Sequence, residues 1–157
     1  MPVLSVLRIV AVFAVAVLAA CTEPAAIPTG EPGRDRLEAV IDISDQEVVV
    51  TRTRASGAGE TYRWPVSTGR AGYPTPTGSF RPFFLSRHHR SSLYDDAPMP
   101  WSVFFNGNIA IHGTYETRNL GRRASHGCVR LHPKHAEFFF RQVREVGKAN
   151  TRISVVH

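Results

Sequence analysis

Apolar and polar positions alternate through most of the chain, the pattern of half-buried strands. Leu37 to Ile43 and Glu47 to Arg54 are β-branched and partly alternating, and Ser44-Asp45-Gln46 between them suits a turn, so this stretch predicts an antiparallel hairpin. Ser56-Gly57-Ala58-Gly59 turns the chain into a further strand from Glu60 to Ser67. Val103-Phe104-Phe105 and Asn108 to Ile111 flank Asn106-Gly107, a dipeptide that tolerates positive φ at both central positions and predicts a type I′ hairpin. One segment has helical periodicity instead. After Pro133, suited to a first helical position, Ala136, Phe139, Phe140, Val143 and Val146 recur at three-and-four spacing until Gly147, and Thr151 to Val156 is a closing strand. The stretch from Ser86 to Trp101 fits neither period and reads as a long polar loop. The expected fold is mainly β, with one or two packed helices.

The first twenty residues follow a different rule. Met1 to Ala20 carries one charge, Arg8, ahead of an apolar run from Ile9 to Ala20, the shape of a secretory signal segment. A bilayer span needs about 20 apolar residues and this run supplies about twelve. Leu18-Ala19-Ala20-Cys21 resembles a bacterial lipobox, which implies cleavage before Cys21, a lipid on it, and a membrane partner through that anchor. An ordinary signal peptide cut near Ala20 is the alternative. Residues 22–34 hold Pro24, Pro28, Pro32, Gly30 and Gly33 without apolar periodicity, as a solvated linker does. The expected organisation is a signal segment over 1–20, an anchored tether over 21–34 and one domain over 35–157. Its expected place is the cell envelope, facing the periplasm in a diderm.

A total of 157 residues with 43% hydrophobic and 20% charged content suits one globular domain. The net charge is +6, and all but two of the cations are arginine, which favours anionic partners. Nucleic acid is not among those expected, because the arginines are scattered and an exported chain has little access to it.

Two cysteines are present. If Cys21 carries a lipid, Cys128 has no intramolecular partner in a compartment where cysteines usually pair. It stands in Ser125-His126-Gly127-Cys128-Val129-Arg130-Leu131, and Ile109-Ala110-Ile111-His112-Gly113-Thr114 ends the hairpin strand with a histidine. A thiol beside an imidazole that accepts its proton is a nucleophile. Backbone amides around Gly127 are candidates to stabilise an oxyanion. Alone, His112 would more often be a core histidine and Cys128 a small buried hydrophobe.

His112-Gly113-Thr114, Gly121 and the run Ser125 to Leu131, with Val66-Ser67-Thr68-Gly69 and Thr75-Pro76-Thr77-Gly78-Ser79-Phe80 upstream, closely resemble the signature of the L,D-transpeptidase (YkuD-type) catalytic domain. The resemblance spans about Leu37 to Val156. It implies a YkuD-like β-sandwich with the nucleophile in a pocket. It also implies a reaction: Cys128 attacks a carbonyl of a peptidoglycan stem peptide, D-alanine leaves, and the acyl group passes to an amine of another stem or to a protein. Carried over residue by residue, Cys128 is the nucleophile and His112 the general base. Gly113 orients His112 through its carbonyl, and the amides of His126, Gly127 and Cys128 face the oxyanion. Ser125 and His126 shape the turn. Arg130, Ser125, Tyr94 and Trp101 are the substrate-binding candidates, with Arg130 placed to grip a carboxylate and the two aromatics to line a cleft wall. Carbapenems are the expected inhibitors, and no cofactor is implied.

Three other readings compete. Water in place of the amine would give a carboxypeptidase or amidase. A blocked pocket would leave a non-catalytic wall-binding lipoprotein. A zinc site from His112, His126, Cys128 and His132 is opposed by their spacing and by the single thiolate.

Overall fold

The computed structural model describes residues 33–157. The expected signal segment, the lipidated Cys21 and all but the last two tether residues lie outside the described residues. The first hairpin forms as the pattern predicts, β1 (Arg36–Asp42) against β2 (Glu47–Thr53), antiparallel. Leu37, Ala39 and Ile41 of β1 and Val48 and Val50 of β2 face inward at alternate positions. β3 (Gly59–Pro65) pairs with β2, and the final strand β9 (Thr151–Val156) runs parallel to β1. β4 (Gly78–Phe80) completes the order β3-β2-β1-β9-β4.

A second sheet has the order β5-β6-β7-β8, from β5 (Phe84–Arg90), β6 (Pro98–Asn106), β7 (Ile109–Gly113) and β8 (Val129–Leu131). Val103 and Phe105 of β6, Ile111 of β7 and Val129 and Leu131 of β8 share one core with the inner face of the first sheet, and Phe80 meets Phe105 across the gap at 5.2 Å. The helix α1 (Pro133–Val146) starts at Pro133 as expected, capped by the His132 side chain, and stops at Gly147. Its stripe of Ala136, Phe139, Phe140, Val143 and Val146 completes that core. The architecture is a mainly β, two-sheet sandwich with one packed helix.

Two expectations are corrected. Ser86 to Trp101 is not a long loop, because β5 and β6 pair through most of it and only residues 91–97 turn. Its polar strand β5 lies at a sheet edge with much of its surface in solvent, so it lacks the apolar face that marks a strand in sequence. The tight turn of the next hairpin sits at Gly107-Asn108 rather than Asn106-Gly107. Positive φ falls on Gly107 and not on Asn108, the pattern of type II′ rather than type I′.

Candidate active site

The candidate residues gather on the outer face of the second sheet. β7 and β8 are parallel with Ile111 beside Val129 and His112 beside Arg130. Because side chains alternate, Ile111, Val129 and Leu131 enter the core, while Ala110, His112, Cys128 and Arg130 share the opposite face. Cys128 packs there against Met99, Phe104 and Ala110. Met99 and Phe104 are an odd number of positions apart, which regular pleating would split between faces. Trp101 between them has φ of +59° and takes up the difference.

His112 is buried, and its Nδ1 lies 2.8 Å from the carbonyl oxygen of Gly113. That contact makes Nδ1 the protonated nitrogen and leaves the lone pair on Nε2. Burial drives the His112 pKa down to about 4, against the smaller opposing effect of the Gly113 carbonyl. Cys128 is the free cysteine among the described residues and is half-buried, its Sγ donating to the Asn108 carbonyl at 3.7 Å. Burial pushes its thiol up, while the Ala110 amide and the Arg130 charge pull it the other way. Thiol and imidazole are therefore both neutral at rest.

The loop carrying Cys128 is fixed by buried polar groups. The Ser125 hydroxyl donates to the Cys128 carbonyl at 2.5 Å and accepts the Gly127 amide at 3.1 Å. Ser125 is thus a fully buried turn residue and does not line a substrate surface. The Gly127 amide, expected at the oxyanion, is committed to Ser125. Thr75 donates its hydroxyl to the Gly127 carbonyl at 2.8 Å and accepts the Gly69 amide at 2.9 Å. The Thr68 carbonyl accepts the amides of Ala124 and Ser125, and Gln46 holds Thr68 through its own side-chain amide, at 2.6 Å to the hydroxyl and 3.0 Å to the backbone N–H. Gly69 is required by backbone contact and Gly127 by its backbone conformation. A Cβ on Gly69 would sit 1.9 Å from the Tyr73 carbonyl, and Gly127, at φ +109°, would put one 2.8 Å from Ile109 Cδ1.

The His126 ring stacks on Tyr94 at 4.1 Å between centroids and meets Tyr73 edge-on at 4.8 Å. An Arg70 guanidinium nitrogen lies 2.7 Å from its Nε2. Burial, then Arg70 and Arg130, lower its pKa, so it accepts from Arg70 as a neutral ring. Tyr94, from the 91–97 turn, thus reaches the cysteine loop. Trp101 does not: it packs on Phe140 of the helix at 5.5 Å, with the Arg87 guanidinium over its ring at 4.6 Å, because it shares the strand parity of Val103 and Phe105, which face the core. Arg130 stands beside His112 in register and pairs with Glu116 at 3.1 Å.

Gln46, Arg70, Tyr73 and Thr75 were not among the site residues expected from the sequence, and no local spacing links them to Cys128. Thr75 alone carried a signal, lying in the upstream motif. Phe84, Phe104 and Ala110 also form one row across β5, β6 and β7 that ends at the thiol. Among the described residues no three His, Cys, Asp or Glu converge to hold a metal ion.

Residues 37–155 match the family model described as YkuD, L,D-transpeptidase catalytic domain. Solved structures share the fold. The LD transpeptidase LdtMt1 in complex with imipenem is 25% identical, with a TM-score of 0.65 over 78% of this chain and 59% of its own. An L,D-transpeptidase from Mycobacterium tuberculosis H37Rv is 23% identical, with a TM-score of 0.67 over 78% and 58%. L,D-transpeptidase 3 from Mycobacterium tuberculosis, in complex with a faropenem-derived adduct, is 22% identical, with a TM-score of 0.66 over 78% and 61%. The chain thus spans about three fifths of the length of these proteins. No curated protein matches it.

Proposed function

Because the chain belongs to the L,D-transpeptidase catalytic domain family, we propose that it forms a thioacyl-enzyme on Cys128 from a peptidoglycan stem peptide and passes the acyl group to an amine. The observation that carries this reading is the His112 ring, locked by Gly113 so that Nε2 holds its lone pair on the face that also bears Cys128. With both groups neutral at rest, the thiol proton moves to Nε2 as sulfur attacks the carbonyl carbon. No standing thiolate and imidazolium pair is needed. The tetrahedral oxygen faces the amides of His126 and Cys128, since that of Gly127 is engaged. The C–N bond then breaks, His112 returns the proton to the departing D-alanine, and an incoming amine repeats the steps in reverse. Arg130 holds a donor carboxylate, and the Phe84–Phe104 row floors the approach to the thiol. Penem and carbapenem complexes of the similar structures support β-lactams of those classes as acylating inhibitors. Export and a lipid on Cys21 place this chemistry at the envelope, on the strength of Leu18-Ala19-Ala20-Cys21.

Intact-mass measurement during turnover of tetrapeptide muropeptides tests the reading. A covalent adduct on Cys128, lost in Cys128→Ala, is expected, together with dimers linked between diaminopimelate residues. Shortened monomers alone would instead mean that water resolves the adduct, and product formation by Cys128→Ala would end the proposal. The same measurement on protein recovered from membranes reads the lipid on Cys21.

A further inference from the structure

Arg130 is the cation at the centre of the site. Its backbone N–H and carbonyl are both bonded to Ser67, at 2.9 and 3.0 Å, so its Cα is fixed. Its side chain is 19% exposed and lies beside His112, two residues from the thiol. His112, His126 and Cys128 all feel its charge. A guanidinium offers five donors and binds a carboxylate best through two at once. Here its partner is one oxygen of Glu116, at 3.1 Å, and that same oxygen also accepts from Asn119 at 3.2 Å. Glu116 is 61% exposed. Its backbone is held in place by the Thr114 hydroxyl at 3.1 Å, while Thr114 bonds to the Leu131 carbonyl at 2.9 Å. A fixed loop thus presents a weakly held carboxylate to the cation two residues from the nucleophile.

We propose that Glu116 is an intramolecular stand-in for a substrate carboxylate: it occupies Arg130 in the resting site and must yield to an anionic donor. The pair thereby sets how the site discriminates donors bearing a free carboxylate next to the reacting carbonyl from donors in which that group is a carboxamide. A carboxylate that engages Arg130 through two oxygens displaces the single contact of Glu116, and the displaced side chain moves into solvent. A carboxamide, lacking the charge, leaves the ion pair closed. The inference rests on Cys128 as the nucleophile, but it can be read without turnover.

Iodoacetate and iodoacetamide are both attacked at carbon by the same thiolate, which displaces iodide, and they differ only in carboxylate against carboxamide, so the ratio of their rates at Cys128 cancels any change in thiol pKa. In the full chain, with Cys128 followed by peptide mass mapping, Glu116→Gln raises the iodoacetate-to-iodoacetamide ratio about two- to fivefold and Arg130→Gln lowers it. Glu38→Gln, which removes the same charge from an exposed position on β1, leaves it unchanged. A ratio in Glu116→Gln equal to wild type, or a shift matched by Glu38→Gln, overturns the inference. In turnover, Glu116→Gln lowers KM for the carboxylate donor by a similar factor and leaves KM for its carboxamide alone. A wild-type enzyme that acylates with neither donor would end the transpeptidase reading, while the alkylation ratio would still decide the role of Glu116.

Discussion

On the proposed reading, a buried imidazole of low pKa and a half-buried thiol of raised pKa form a proton pair that waits for substrate. Its pH behaviour follows with a definite sign. An ordinary histidine loses half of its base form near 6.5, but His112 stays neutral until about 4. Acylation of Cys128, measured by stopped-flow or by mass, therefore holds its rate from pH 7 to near 5 and falls as the pH approaches 4. Between about 6.5 and 4 the unfolded chain binds a proton that the folded chain refuses, so stability drops across that window, by on the order of 3 kcal/mol if His112 acts alone. Urea midpoints for His112→Gln lack that slope, and its kcat/KM falls by roughly 10²- to 10⁴-fold. The identity of both residues was legible from His112-Gly113-Thr114 and Ser125-His126-Gly127-Cys128. Their protonation was not, because it depends on what covers them.

At the scale of the element, the cysteine loop keeps its shape through buried side chains borrowed from other segments. Thr75 joins the Gly69 amide to the Gly127 carbonyl, so removing its hydroxyl leaves a buried carbonyl and a buried amide without that partner. Thr75→Val is expected to cost about 1–3 kcal/mol in denaturant unfolding and to lower kcat more than it raises KM, since the amides around Cys128 would lose their aim. An unchanged kcat would show that the loop holds itself. The elements that sequence periodicity found were those with one buried and one wet face: β1, β2, the helix and β9. It missed β5, whose His and Arg residues lie at an edge, and β4 and β8, each three residues long. Short or two-faced strands carry no alternation to read.

Across the whole molecule, Arg52 ties the helix to the first sheet. It occupies a core-facing position of β2, yet its guanidinium reaches Gln142 at 2.8 Å, Glu145 at 2.9 Å and Asp35 at 2.6 Å. These partners raise the Arg52 pKa, and Arg52 in turn holds Asp35 and Glu145 below the usual carboxylate range. Depressed carboxylates stabilise the fold above their ordinary pKa, so this contribution is intact at neutral pH and is lost as the pH falls below about 4. Arg52→Ala is expected to lower stability by about 2 kcal/mol while the activity of the folded fraction stays near wild type, since the cluster lies away from the thiol; calorimetry and active-site titration check the two parts. By itself the sequence determined the β-rich class and the helix with both its ends, and it singled out a thiol and an imidazole as candidates, because hydrophobic period and local motif are properties of neighbours along the chain. Only the tertiary structure decided that Trp101 packs on Phe140 of the helix, that Ser125 takes the Gly127 amide, and that Glu116 sits on Arg130. Each of those outcomes depends on groups far apart in sequence competing for one donor, one acceptor or one volume.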